Sequence, residues 1–127
     1  MKIKVPISVG ELFDKITILQ LKLRNIKGEA SLSHIQKEFD MLVKIAKKID
    51  LHYNKYVGYK QLLKVNSALW NIEEGKRDHE RKKTFGKSFI ELARSVYKKN
   101  DDRAKIKRKI NDHYGSEIIE VKSYKPY

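Results

Sequence analysis

The sequence predicts a mostly α-helical protein, a bundle of about five helices with a small sheet formed by the N- and C-terminal strands. Three observations carry this. Apolar residues recur at three- and four-residue steps through most of the chain. The capping-box pattern, a serine followed three residues later by Glu or Gln, repeats at Ser8/Glu11, Ser33/Gln36 and Ser88/Glu91. The two ends alternate apolar and polar residues with period two.

Over residues 2–8, Ile3, Val5 and Ile7 alternate with Lys2, Lys4 and Pro6. This reads as a strand, placed at an edge because Pro6 cannot donate to a ladder. Ser8 to Gly28 reads as the first helix, opened by a capping box and stopped by a left-handed glycine. Leu12, Phe13, Ile16, Leu19, Leu23 and Ile26 make one apolar stripe along it. Ile18 and Leu21 lie off that stripe, so the helix should be covered on two sides, within its own chain or across an oligomer interface.

The second helix opens at Ser33, with Ile35, Phe39, Leu42, Ile45, Ala46 and Ile49 facing inward. Its short link to the first makes the two an antiparallel hairpin. A Tyr-rich turn, LHYNKYVG, leads to a third helix from about Tyr56 to Thr84. Unbroken, its roughly 29 residues would span about 43 Å, so either Gly75 bends it or its second half projects toward a partner. Leu62, Leu63, Leu69 and Trp70 mark its buried face.

Phe85-Gly86 ends the third helix and Ser88 starts a fourth, with Phe89, Leu92, Ala93, Val96 and Tyr97 inward. Asn100-Asp101-Asp102 reads as a break and a fresh N-terminus for a fifth helix, which carries Ile106 and Ile110 and stops at Gly115. EIIEVKSY, residues 117–124, is the second strand. It is expected to pair with the first and lie on the helices, because an isolated two-stranded ribbon is marginal.

At 127 residues the chain is one domain by size, residues 1–127, and can bury an ordinary core. It has no cysteine, so disulfides and thiolate metal sites are out. No stretch is apolar enough to span a membrane, and the N-terminus lacks a signal-peptide core; a cytoplasmic location is the expectation. The net charge of +13 is uneven: residues 76–109 hold 14 Lys/Arg against 5 Asp/Glu. Such a block suits nucleic acid, anionic lipid headgroups or phosphorylated small molecules, and equally a solvated lysine-rich surface.

The opening VPISVGELFDKITILQLKLRNI and the closing FIELARSVYKKNDDRAKIKRKIN, followed by GSEI and EVKSY, together resemble a family of small uncharacterised proteins of bacteria and their viruses, a domain of unknown function. The resemblance covers nearly the whole chain and implies no known activity. It implies a setting among genes for surface-polysaccharide synthesis, with sugar-nucleotide or lipopolysaccharide chemistry nearby.

The residues most like a site lie between Arg94 and Asn111. Arg94 and Tyr97 are one turn apart, and Arg103, Lys107 and Asn111 form a four-residue ladder. If the break at residues 100–102 folds the two helices together, Arg94, Arg103 and Lys107 converge on one anion, which the planar guanidinium fork suits. Asn66, Trp70, Glu73 and Arg77 follow one another on the third helix, where Asn66 and Trp70 read best as setting register or an interface. Asp14, Lys15 and Lys22 read as surface ion pairing on the first helix.

His34, His52, His79 and His113 share no ligand spacing, and no phosphate loop, dinucleotide fingerprint or nucleophile elbow is present. No metal or cofactor is expected. The leading expectation is an oligomeric binding or accessory protein, most simply a homodimer, that recognises an anionic ligand or partner. Two alternatives are a nucleic-acid-binding protein and a small enzyme acting on a phosphorylated or sugar-nucleotide substrate. Nucleic-acid binding is expected to be weak and non-specific.

Overall fold

α1 (Val9–Asn25) is the helix on which all the others pack. The computed structural model describes residues 1–127 and adds α2 (Glu29–Ile49), a 3-10 turn (Tyr53–Lys55), α3 (Val57–Lys82) and α4 (Lys87–Tyr114). α3 and α4 form a long antiparallel hairpin. α1 lies on that hairpin, and α2 folds back on the outer side of α1.

The core gathers where α1 meets the open end of the hairpin. Phe13, wholly buried, packs its ring against Tyr53, Tyr59 and Tyr114 at 5.6, 5.9 and 5.4 Å between centroids. Leu12, Ile16, Ala46, Leu62, Val65 and Ile110 complete the cluster. The turn predicted to be Tyr-rich therefore supplies core: Tyr53 is buried, and Tyr56 packs against the cluster and stacks on His113. Tyr114 donates a 2.6 Å hydrogen bond to Asp50, tying the end of α4 to the end of α2.

Two glycines permit close approaches between helices. A Cβ on Gly10 would stand 2.6 Å from the Lys107 carbonyl oxygen, so α1 and α4 can meet there only without a side chain. A Cβ on Gly75 would meet the Leu92 side chain at 2.9 Å, which seats Leu92 on the distal seam of the hairpin. α3 runs through Gly75 as one continuous helix. Its 26 residues and the 28 of α4 span about 39 and 42 Å. The last buried residue of α3 is Ile72 and the first of α4 is Lys107, so the distal hairpin projects as a two-helix arm.

Three expectations are corrected. The molecule is all-helical, and neither terminal segment is a strand. The alternation at both ends is real, but a strand needs a partner for its N–H and C=O groups, and none lies alongside; Ile3, Val5 and Val121 are 82%, 68% and 82% exposed. The break at Asn100–Asp102 is absent, so α4 is a single helix where two were expected. Asn and Asp inside a helix cost only tenths of a kcal/mol each, and no Gly or Pro accompanies them. Finally, α2 starts at Glu29 rather than Ser33, with Gly28 as N-cap at φ 107°.

Other signals hold. Ser8 caps α1, its Oγ accepting from the Glu11 amide at 3.0 Å, although the Glu11 side chain turns away to another helix. Gly115 ends α4 in the left-handed conformation, with the Ser116 amide donating to the Asn111 carbonyl.

Candidate anion-binding surface

The basic residues of α4 divide into two sets with opposite fates. The first set is turned inward on α1. Glu11 and Asp14, one turn apart beside the apolar stripe of α1, meet Lys107 and Arg103 of the antiparallel α4, and the Gly10 backbone meets Asn111. Arg103 grips Asp14 with two parallel hydrogen bonds, Nε to Oδ1 at 2.9 Å and Nη2 to Oδ2. Asp14 is 1% exposed, and the Asn66 amide donates to it and to Thr17 Oγ1, both at 2.8 Å. Lys107 donates to Glu11 at 2.8 Å, and Asn111 Oδ1 accepts from the Gly10 amide at 2.7 Å.

This ladder is satisfied internally: no buried side-chain polar atom lacks a partner. A buried carboxylate with a bidentate arginine resists removal of either member, so the arrangement clamps α1 to the hairpin. The hydrogen bond to Asp14 holds the Arg103 guanidinium further into its charged range. Burial would lower the Lys107 ammonium, but its bonds to Glu11 and Glu120 outweigh that and the net direction is up.

The C-terminal segment completes the ladder. Ser116 Oγ accepts from the Val9 amide, and the chain then runs back along α4, placing Glu120 3.0 Å from Lys107 and Tyr127 against Tyr97. Lys122 first and Lys107 second hold the Glu120 carboxyl down to about 2. Asn100, Arg103, Ala104, Lys107, Glu120 and Lys122 line a cleft of about 240 Å³ at this point.

Of the residues expected to converge on an anion, Arg103, Lys107 and Asn111 share this α1-facing edge. Arg94 does not join them; it is exposed, further up the arm. Tyr97 is exposed and reaches only the tail. Asn66, on α3, is buried against α1, whereas Trp70 is half-buried further along α3. Leu21 is buried within the chain and Ile18 half-buried, so neither leaves a large free surface.

The second set of cations is free. A groove of about 410 Å³ runs between α3 and α4, floored by Val65, Ala68 and Ile106. Lys64, Lys99, Lys105 and Lys109 rim it, with Gln61 and one acid, Asp102. None of these four lysines makes an ion pair. The sequence reading missed this group because it ended a helix at Asn100. Read through, Lys99, Asp102, Ile106 and Lys109 step by three, four and three, which is one helix face.

Asp14 and Glu11 were also missed as site-forming residues. The signal was there: acids at three-residue steps on one helix and cations at four-residue steps on another are complementary when the helices are antiparallel. No three of the Asp, Glu and His side chains converge as metal ligands would, and no helix is long and apolar enough to cross a membrane.

The chain belongs to a family of unknown function, DUF6165, whose model matches residues 3–127. No curated protein and no solved structure matches it.

Proposed function

We propose that this member of a family of unknown function is a helical binding or accessory protein that recognises an anionic partner along the α3–α4 groove. One observation carries the reading: Lys64, Lys99, Lys105 and Lys109 surround an apolar floor, outnumber the single acid Asp102 and make no ion pair, while the neighbouring Arg103 and Lys107 are neutralised by α1. Like charges gathered without partners repel one another and raise the local concentration of anions. A phosphorylated or carboxylated chain lying along the hairpin relieves that repulsion and rests its apolar parts on Val65, Ala68 and Ile106. Nucleic acid is bound only weakly and without sequence preference, at the roughly 10⁻⁴ to 10⁻⁶ M level of basic proteins generally.

The experiment is binding of an inorganic polyphosphate chain at moderate salt to the wild type and to the Lys64→Gln/Lys99→Gln/Lys105→Gln/Lys109→Gln variant. The variant is expected to bind about tenfold more weakly, at a few tenths of a kcal/mol per exposed charge pair. Equal binding by the two proteins contradicts the reading.

A second reading concerns the smaller cleft, because Glu120 supports it: a carboxylate already sits on Lys107 there. A small phosphorylated or carboxylated ligand competing with Glu120 would use the outward donors of Arg103, Lys107 and Lys122. This keeps part of the substrate-clamp idea but without Arg94. Self-association belongs to the proposal as well, with its seat moved to the outer side of α2. There Met41, Ile45 and Ile49, at four-residue steps, are 38%, 48% and 42% exposed.

A further inference from the structure

The apex of the α3–α4 arm combines two features on one helix-borne turn. Residues 81–90, RKKTFGKSFI, hold four cations, Arg81, Lys82, Lys83 and Lys87, and no acid. The same stretch exposes two large apolar side chains, Phe85 at 49% and Ile90 at 53%.

The turn is built to hold Phe85 outward. Lys83 takes the left-handed conformation at φ 55°, and the Thr84 amide donates back to the His79 carbonyl at 2.9 Å, so the chain reverses within a few residues. Thr84 Oγ1 and His79 Nδ1 are hydrogen-bonded at 2.7 Å. The Phe89 ring packs edge-on to His79 and to Phe85, at 6.1 and 5.3 Å between centroids. Phe85 is therefore backed on one side by Phe89 and open on the other.

The cations are available. Arg81 and Lys82 lie near Asp78 and Lys83 near Glu80, in exposed pairs one helical turn apart; such pairs are weak and screened, and yield to a denser anionic surface. Lys87 has no acidic partner. The ten residues of α3 beyond Ile72 carry this apex about 15 Å past the last buried position.

We propose that this apex docks on an anionic lipid bilayer, with Phe85 and Ile90 in the headgroup–acyl boundary and Arg81, Lys82, Lys83 and Lys87 among the headgroup phosphates. The pairing of apolar tip and basic collar selects a bilayer over nucleic acid. A duplex offers no apolar layer for Phe85 and Ile90. A single strand would stack on Phe85, but Ile90 presents no ring for a second base, and successive aromatic faces are what such sites use. A bilayer interface takes both side chains and adds electrostatic attraction for each cation. This surface is separate from the groove and does not depend on it.

The test is flotation of the full chain with phosphatidylcholine vesicles, with and without about one-third phosphatidylserine. Binding is expected only with the anionic lipid. The Lys83→Gln/Lys87→Gln variant should partition about 25-fold less, at about fivefold per charge, and Phe85→Ser should weaken binding by about tenfold or more. These side chains are exposed, so the variants should melt with the wild type. Phe85→Trp gives a second readout: its emission shifts to the blue on anionic vesicles, while that of the wild type, reporting Trp70, does not. Vesicle binding unchanged by the apex variants would overturn the proposal. So would a wild type that ignores anionic vesicles yet binds single-stranded RNA through Phe85.

Discussion

Arg94 and Arg103 stand on opposite sides of one unbroken helix. Nine residues at about 100° each leave them half a turn out of phase and about 13 Å apart along the axis. Arg103 consequently faces α1 and closes on Asp14, while Arg94 faces solvent on the arm. The continuity of α4 through Asn100–Asp102 thus decides which cations serve the fold and which stay free for a partner.

The two arginines should differ sharply on mutation. Arg103→Ala leaves the Asp14 carboxylate buried with only Asn66 for company, and is expected to destabilise the protein by about 3 kcal/mol or more. Arg94→Ala should fall within about 0.5 kcal/mol of wild type. Urea unfolding of both variants checks this; equal midpoints would mean that the clamp adds little.

Asp14 also marks the limit of what the chain could disclose. Helical class, the Ser8 cap, the α1–α2 hairpin and the Gly115 stop were legible because each is set by neighbours within a few residues. Asn66 was legible as a polar group in an apolar seam. Asp14 read as a surface acid because its burial depends on an arginine 89 residues away. The terminal alternation of Ile3, Val5 and Ile7 misled for the opposite reason. The local pattern suits a strand, but no second segment pairs with it. The lysine groove was hidden by reading Asn100–Asp102 as a helix start when the hairpin seam keeps α4 continuous.

The glycines give a second contrast. Gly10→Ala would press a methyl group into the Lys107 backbone, which cannot step aside. It is expected to destabilise by about 1–3 kcal/mol despite the better helix propensity of alanine. Gly75→Ala meets only the movable Leu92 side chain, so the propensity gain of about 1 kcal/mol should roughly balance the repacking. Thermal melts of the two variants should therefore separate clearly.

Docking of the tail should resist acid. The Glu120 carboxyl is held at about 2 against an ordinary 4.5, so its contribution is complete above about pH 4.5 and is lost only as pH falls toward 2. Lys107 is shifted upward from 10.5, so its side of the bond persists through neutral pH and is lost only as pH rises past that shifted value. Carbon-detected NMR titration of the Glu120 carboxyl reads this directly. Lys122→Gln should return more of the shift than Lys107→Gln, because Lys122 is the larger cause.

Self-association, if it uses the outer side of α2, should be abolished by one charge there. Light scattering behind a sizing column is expected to give a dimer mass for the wild type and a monomer mass for Ile45→Glu. A monomer mass for both removes oligomerisation from the account.

The central claim is that the anionic partner lies in the groove of free lysines and not on the Arg103–Lys107 edge. Amide chemical-shift mapping during titration with inorganic polyphosphate tests it most directly. The account requires the largest shifts in residues 61–68 and 99–109 on the Lys64, Lys99, Lys105 and Lys109 side, with Glu11, Asp14 and Glu120 undisturbed. Shifts centred on Glu11, Arg103 and Glu120, or spread evenly over every lysine of the chain, would contradict it.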